Sequence, residues 1–474
     1  MLKVIIPIAV LLILVLCKKI PVIGGKINIA LCVTGALTLI LGGIYNPGDW
    51  FAAWIDGLNR LSWIIALSIT GSLFASISSR MGTIDTIMGA LTAKFGNRPR
   101  ALIFCILFVL VLAGSLLGDA IAASTVIGIM TIGILLSMNM EYEKISAIIV
   151  MGASIGSIMP PMTQALALSS SLANTPADPV IDLGYITVPI IFLAMSIYCC
   201  FVLVKKENRP GSNPAIAIKY TDKTASEILR KNWRSLVPLM VLILIVLLRT
   251  IEIPYVSVDL GPTILKNLTF LSLGDGSIIS LYDFLKGATI LNGLTNGIVL
   301  SIICAIAVSF LSPVVRKNGG SIVKEGFKNV KITVILQACC AFMLGSFYAA
   351  GSIDAVSSFA AGLNSNLLIV GGVVAMMLLG MITGSQSTTQ NVVFSFFGPA
   401  LIATGMNPTF AAVAGAHLAA AGQGLPPADL TTFVVAGIVS AETGKKVDPV
   451  KSMLYSVPMC ICFLIVGIFF LYIK

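Results

Sequence analysis

Apolar runs recur along almost the whole chain, separated by short polar connections. A helix needs about 20 apolar residues to cross a bilayer core, so the pattern predicts an all-α polytopic membrane protein with roughly a dozen apolar segments. The first series covers residues 2–16, 27–44, 63–79, 101–117, 121–136, 145–159, 162–172 and 186–204. The second covers 235–248, 291–311, 332–350, 367–382, 392–403, 430–440 and 453–472. A long basic stretch, 205–234, separates the two series. Residues 250–286 mix Glu252, Asp259, Asp275 and Asp283 with apolar positions and read as interfacial or re-entrant structure. The first apolar run could pass for a signal peptide. It lacks a small-residue cleavage site and leads into further spans, so it reads as a retained helix.

Two places inside the apolar pattern break it in the same way. Met151-Gly152-Ala153-Ser154-Ile155-Gly156-Ser157-Ile158-Met159-Pro160-Pro161 ends in a double proline after glycine, and so does the stretch from Ala416 through Gly422, Gln423 and Gly424 to Pro426 and Pro427. A double proline removes two backbone donors and cannot continue the preceding helix. In lipid the freed carbonyls are tolerated only beside a cavity or other protein groups.

Placing Pro160 on Pro426 gives an offset of 266 that holds without a gap back to Gly114. Gly114 then falls on Gly380, Gly118 on Gly384, Met140 on Met406, Gly156 on Gly422 and Pro161 on Pro427. Apolar helices match by chance, but glycine and proline carry backbone meaning. Loop charge swaps sides between the halves. Arg80, Lys94, Arg98 and Arg100 follow the third apolar run, whereas residues 351–366 hold no basic residue. Residues 174–182 hold none, whereas Lys445 and Lys446 stand in the matching loop. By the positive-inside rule the halves run in opposite directions. Inverted repeats of this kind place a binding site at the midplane between them. The expected organisation is N-terminal scaffold spans (1–80), a first repeat core (81–204), a cytoplasmic basic linker (205–234), scaffold spans with an interfacial segment (235–350), and a second repeat core with the last span (351–474).

Each repeat has two irregular points. One is a Gly-xxx-Gly turn, with Gly118, Asp119, Ser124 and Thr125 in the first half, and Gly384, Ser385, Gln386, Ser387, Thr388 and Asn391 in the second. Gly-xxx-Gly alone is a common packing device, but the polar run 383–391 cannot face lipid and reads as a water-exposed hairpin tip. The other point is the Pro-Pro break. In the first half it carries Ser154, Gly156, Ser157, Pro160, Pro161, Thr163 and Gln164. In the second it carries Gly422, Gln423, Pro426, Pro427, Asp429, Thr431 and Thr432.

These groups suit a hard cation, which takes carbonyl, hydroxyl and carboxylate oxygens, with half-helix N-termini facing an anion. Asp119 and Asp429 are intramembrane carboxylates and so candidates for function, with proton coupling through them an open alternative. The sodium ligands at the tips and breaks stay open. His417, the lone histidine, reads as a packing residue, and Arg249 as a snorkelling one.

Composition narrows the classes further. The chain has 474 residues, 57% hydrophobic and only 11% charged, against about 25% charged in soluble domains. The net charge of +10 sits in short loops, not in basic patches interleaved with aromatics, so no nucleic-acid partner is expected. Ten cysteines, most of them in apolar segments and none in a Cys-x-x-Cys pair, read as small buried hydrophobes. No catalytic constellation, nucleotide-binding loop or ATPase carboxylate pair is present, so neither an enzyme nor an organic cofactor is expected.

Ser154-Ile155-Gly156-Ser157-Ile158-Met159-Pro160-Pro161 resembles the Gly-rich "IPPS"-type motif of the large, DctM-like membrane subunit of TRAP transporters (tripartite ATP-independent periplasmic transporters), within the wider ion transporter superfamily. Residues 384–437 resemble that subunit's second repeat, including the turn Gly405-Met406-Asn407-Pro408. The resemblance implies an elevator-type symporter for sodium and a small organic anion, carboxylate or C4-dicarboxylate-like, in the cytoplasmic (inner) membrane of a prokaryote. It also implies a small four-span subunit and an extracytoplasmic solute-binding protein as partners. Here Leu117-Gly118-Asp119-Ala120 stands where the family has a serine-rich turn, and Ser385-Gln386-Ser387 where an aspartate is common. Two other readings remain: a stand-alone symporter of the superfamily, and a channel or non-transporting membrane scaffold.

Overall fold

Helix follows helix from Leu2 to Tyr472 in the computed structural model, which describes residues 2–16, 26–95, 98–205, 208, 224–250, 260–272, 278–355 and 364–473. Glu252, Asp259, Asp275 and much of the basic linker lie outside the described residues. Among the described residues, five helices are long and apolar enough to cross a membrane, or six if one bent pair counts as a span. That is fewer than the dozen read from hydropathy, because the glycine and proline breaks cut apolar stretches into shorter pieces such as Leu430–Thr443 (14 residues).

The all-α class holds, with one small addition among the described residues: Thr269–Ser272 pairs antiparallel with Ile278–Ser280 in a two-stranded ribbon within the stretch that reads as interfacial. Several polar "connections" are also helices. Pro47–Arg60 fills the gap between the second and third apolar runs, Thr83–Phe95 occupies the first basic connection, and Ala225–Thr250 begins inside the linker. Pro313–Ala349 runs through the basic stretch 316–331 and bends by 44° between Lys331 and Thr333. Charged residues cluster where helices leave the apolar layer, so polarity there marks the water boundary and not the end of the helix.

One group of helices gathers on Pro313–Ala349. Ile27–Gly42 and Pro47–Arg60 meet its apolar half, near Phe342 and Ala341, and Ser62–Met81 runs along both halves, from Gln337 at Ser68 to Glu325 at Arg80. Gly57 and Gly345 face each other where two of these helices cross, with no room for a side chain at either. Trp54 Nε1 donates to Ala338 O (3.1 Å) across the same crossing. Hydroxyls inside the helices are satisfied by carbonyls one turn back, as for Thr38 to Thr34 O (2.8 Å) and Ser68 to Ile64 O (2.9 Å). That local bond lets a polar group stay buried without a tertiary partner.

The second group is built twice, at the sequence offset of 266. Pro99–Leu117 matches Ser365–Thr383 end to end. Ala120–Ser137 matches the stretch from Gln386 to Ala403, which contains one π turn, Gln390–Phe394. Tyr142–Ile158 starts in register with Pro408–Gln423, and Gln164–Leu172 with Leu430–Thr443. Gly118 (φ 66°) and Gly384 (φ 59°) take the same left-handed cap, each amide donating back to Gly114 O (2.7 Å) or Gly380 O (2.8 Å). Asn139 and Gly405, also matched, both have positive φ. Pro160-Pro161 and Pro426-Pro427 are both cis.

The matched glycines are where the pieces touch. A Cβ on Gly114 would sit 2.6 Å from Gly156 Cα, and one on Gly380 2.6 Å from Gly422 Cα. A Cβ on Gly118 would meet Met162 O at 2.6 Å, and Gly384 faces the matching Ala428 O. Each hairpin therefore lies on its own broken helix at van der Waals distance, backbone to backbone.

Candidate functional site: a polar cavity between the two tips

Both hairpin tips and both post-break helices reach one cavity of 240 Å³. Gly118, Asp119, Ala120 and Ile121 line it from the first tip, and Gly384 through Ser387 from the second. Gln164, Ala165 and Leu168 contribute from the first post-break helix, and Leu430 and Thr431 from the second. Four helices thus begin at this wall. The first-turn amides of a helix lack intrahelical partners, and the helix dipole makes that end positive.

Each of the four starts has a side-chain cap. Asp119 accepts from Ala122 N (2.7 Å) and Ser385 from Thr388 N (3.3 Å). Thr163 accepts from Leu166 N (3.3 Å), while Asp429 accepts from Thr431 N and Thr432 N (both 3.1 Å) and from the Thr432 hydroxyl. Asp119 matches Ser385 and Thr163 matches Asp429, so carboxylate and hydroxyl change places between the halves. Asp119 is exposed to the cavity, whereas Asp429 is fully buried behind the wall.

Of the other residues picked from sequence, Ser157, Asn391 and Gln423 line the cavity. Gln423 Oε1 accepts from Gln386 N (3.1 Å), tying the second tip to its broken helix. Ser124 and Thr125 return their hydroxyls to Ile121 O (3.0 and 2.7 Å), and Ser154, Gly156, Gly422, Thr388 and Thr432 are buried outside the lining. The Pro-Pro pairs are not part of the wall. Pro160 O accepts from Ser115 Oγ (2.7 Å), and Pro160 and Pro161 border a separate apolar cavity of 170 Å³ with Tyr185 and Leu239. Pro426 and Pro427 stand between Gln423 and Leu430, which do line the site. The breaks aim the wall without forming it.

Sequence reasoning missed Thr333 and Gln337, and took Gln390 only as one position of the polar run 383–391. Gln390 Nε2 donates to Ala165 O (2.6 Å) and Ser169 Oγ (2.7 Å), which joins the second hairpin to the first half's post-break helix. Gln337 brings the scaffold to the cavity and donates to Ser68 Oγ (2.8 Å). A lone glutamine inside the apolar run 332–350 was the available signal. His417 is fully buried, with Nδ1 2.8 Å from Val413 O and its ring 5.9 Å from that of Phe463. Among the described residues no three His, Cys, Asp or Glu gather, so the oxygens offered to an ion here are hydroxyls, amides, carbonyls and single carboxylates.

Paired hairpins and interrupted helices around one polar cavity, in a multi-pass membrane chain, define the core of a secondary transporter. The chain belongs to the family described as "Tripartite ATP-independent periplasmic transporter, DctM component", which it matches over residues 8–474. Two solved transporters share the fold. The YdaH transporter of Alcanivorax borkumensis is 15% identical, with a TM-score of 0.57 over 89% of this chain and 86% of that one. MtrF of Neisseria gonorrhoeae, from a class of antimetabolite efflux pumps, is 14% identical, with a TM-score of 0.58 over 99% of this chain and 94% of that one. No curated protein matches the sequence.

Proposed function

We propose that this chain is the large permease subunit of a TRAP-type system and carries a small carboxylate, coupled to sodium, across the inner membrane of a prokaryote. The observation that carries this reading is the convergence of four helix starts on one cavity whose one lining carboxylate is Asp119. The positive dipole ends of the four starts favour a carboxylate. Asp119, the hydroxyls of Ser385 and Ser387 and the carbonyls turned by Gly118 and Gly384 supply oxygens for sodium nearby. A cation bound there offsets the charge of the anion, which is the physical basis for their moving together.

The matched halves, with their swapped loop charges, fit an inverted repeat. The core then moves as a body against the scaffold that includes Ser62–Met81 and Pro313–Ala349, as an elevator. A four-span membrane subunit and an extracytoplasmic binding protein complete the system in this reading. The test is uptake of labelled carboxylates into liposomes holding the chain with these partners, under an imposed sodium gradient. Concentrative uptake that collapses when sodium is equalised supports the proposal. Downhill flux alone, at channel rates and indifferent to sodium, rejects it.

A further inference from the structure

A second, wider cleft of 580 Å³ lies next to the central cavity. The two share elements. Ser62 and Trp63 line the cleft, and the next residue, Ile64, lines the cavity. Ser171 lines the cleft, and Leu168, one turn earlier on the same half-helix, lines the cavity. Trp63 Nε1 donates to Ser171 Oγ (2.8 Å), a hydrogen bond between two lining residues of the cleft, each on an element that continues to the cavity.

The lining of the cleft is one-signed. Arg60 and Lys286 are its charged residues among those described, and no described aspartate or glutamate lines it. Arg60 is partly neutralised by Asp56 (2.8 Å) and lies 3.7 Å from the Tyr348 ring centre. Lys286 is exposed at the last turn of Leu281–Gly287 and has no ion pair among the described residues. Asp283, one turn before it, is engaged by Ser280 Oγ (2.6 Å). The floor is rigid: Asn59 Oδ1 accepts from Ile290 N (3.2 Å) and Asn292 Nδ2 (3.0 Å), and Ser62 Oγ donates to Asn292 Oδ1 (2.5 Å). Thr175 and Asn174, from the loop without basic residues, close the side.

We propose that this cleft is a vestibular binding site for the transported carboxylate, with Lys286 as its capture charge and the Trp63–Ser171 bond as the contact it passes to reach the central cavity. The assignment rests on the carboxylate reading above. A cleft whose described lining carries cationic side chains raises the local concentration of anions and repels cations, and an exposed lysine does so without holding its guest tightly.

The deciding experiment places a reporter thiol at Thr175→Cys in the full chain in nanodiscs and compares its modification by an anionic and a cationic methanethiosulfonate reagent, with the wild-type chain giving the background. Adding Lys286→Gln is expected to lower the anionic-to-cationic rate ratio roughly fourfold to tenfold, the factor for one charge about 5 Å away in water. Lys286→Arg is expected to hold the ratio, and salt to shrink it. An unchanged ratio in Lys286→Gln overturns the proposal. In liposomes with the partner subunits, Lys286→Gln is expected to raise KM several-fold at unchanged maximal rate. A wild-type system that takes up no carboxylate defeats the transport reading while the labelling ratio still stands. Normal uptake with an indifferent ratio removes the vestibule alone.

Discussion

Asp119, Thr163, Ser385 and Asp429 do the same task at four helix starts, yet they differ in what remains free. Asp119 keeps an oxygen toward the cavity, whereas the carboxylate of Asp429 is spent on two amides and a hydroxyl. Asp119→Asn retains a capping oxygen and loses the charge. It is expected to weaken the sodium dependence of uptake at least about tenfold, the weight of one charge-assisted contact of roughly 1.5 kcal/mol, with little change in melting temperature. Asp429→Ala is expected to act first on stability, lowering it by about 1–3 kcal/mol from the lost cap and the stranded buried donors, read by thermal unfolding in detergent. Asp85→Ala, on the separate helix Thr83–Phe95, serves as the control for both. At the surface, Glu141 is held below the usual carboxylate range, mainly by its bond from Lys144 (3.0 Å). Its folded value is depressed, so its contribution is present above the unfolded value and is lost as pH falls through the folded one. Thermal unfolding across the acid range is expected to show a small dependence that Glu141→Gln and high salt both flatten.

The glycine crossings carry the argument at the level of the element. Gly114→Ala or Gly422→Ala pushes a methyl into a facing backbone, and overpacking of this kind costs about 1–3 kcal/mol. Gly118→Ala adds about 1–2 kcal/mol for a side chain in the left-handed region. Gly437→Ala is the counter-case. Nothing lies within 4 Å of the added methyl, so helix propensity alone predicts a gain of up to about 1 kcal/mol. Melting temperatures of the four variants separate close approach from a general aversion to alanine. The same glycines explain why this part of the fold was legible beforehand: a backbone that must turn left-handed, or touch another backbone, restricts residue type in a way that survives in a single sequence. The scaffold has such a contact too, Gly57 against Gly345, but no second copy at a fixed offset to draw attention to it. Pro47–Arg60 and the basic half of Pro313–Ala349 carry charged residues among their apolar ones, and by hydropathy alone such a helix reads like a loop. Gln337 was overlooked for the opposite reason. It is defined by what it meets across the molecule, Ser68, and no neighbour in sequence announces that.

For the whole molecule, an elevator requires the scaffold and core to separate at Trp63 and Ser171. A Trp63→Cys/Ser171→Cys pair joined by a short thiol crosslinker is expected to abolish uptake and to recover it on reduction, and full activity in the crosslinked form would argue against a moving core. The crossings have one further consequence, for chain length. Gly114 meets Gly156 and Gly380 meets Gly422 over the same sequence separation in both halves. One residue inserted within a helix between them turns everything beyond it by about 100°, so a facing glycine leaves its crossing and a bulkier neighbour enters. Among relatives, insertions and deletions are therefore expected to be absent from the helices of residues 99–172 and 365–443.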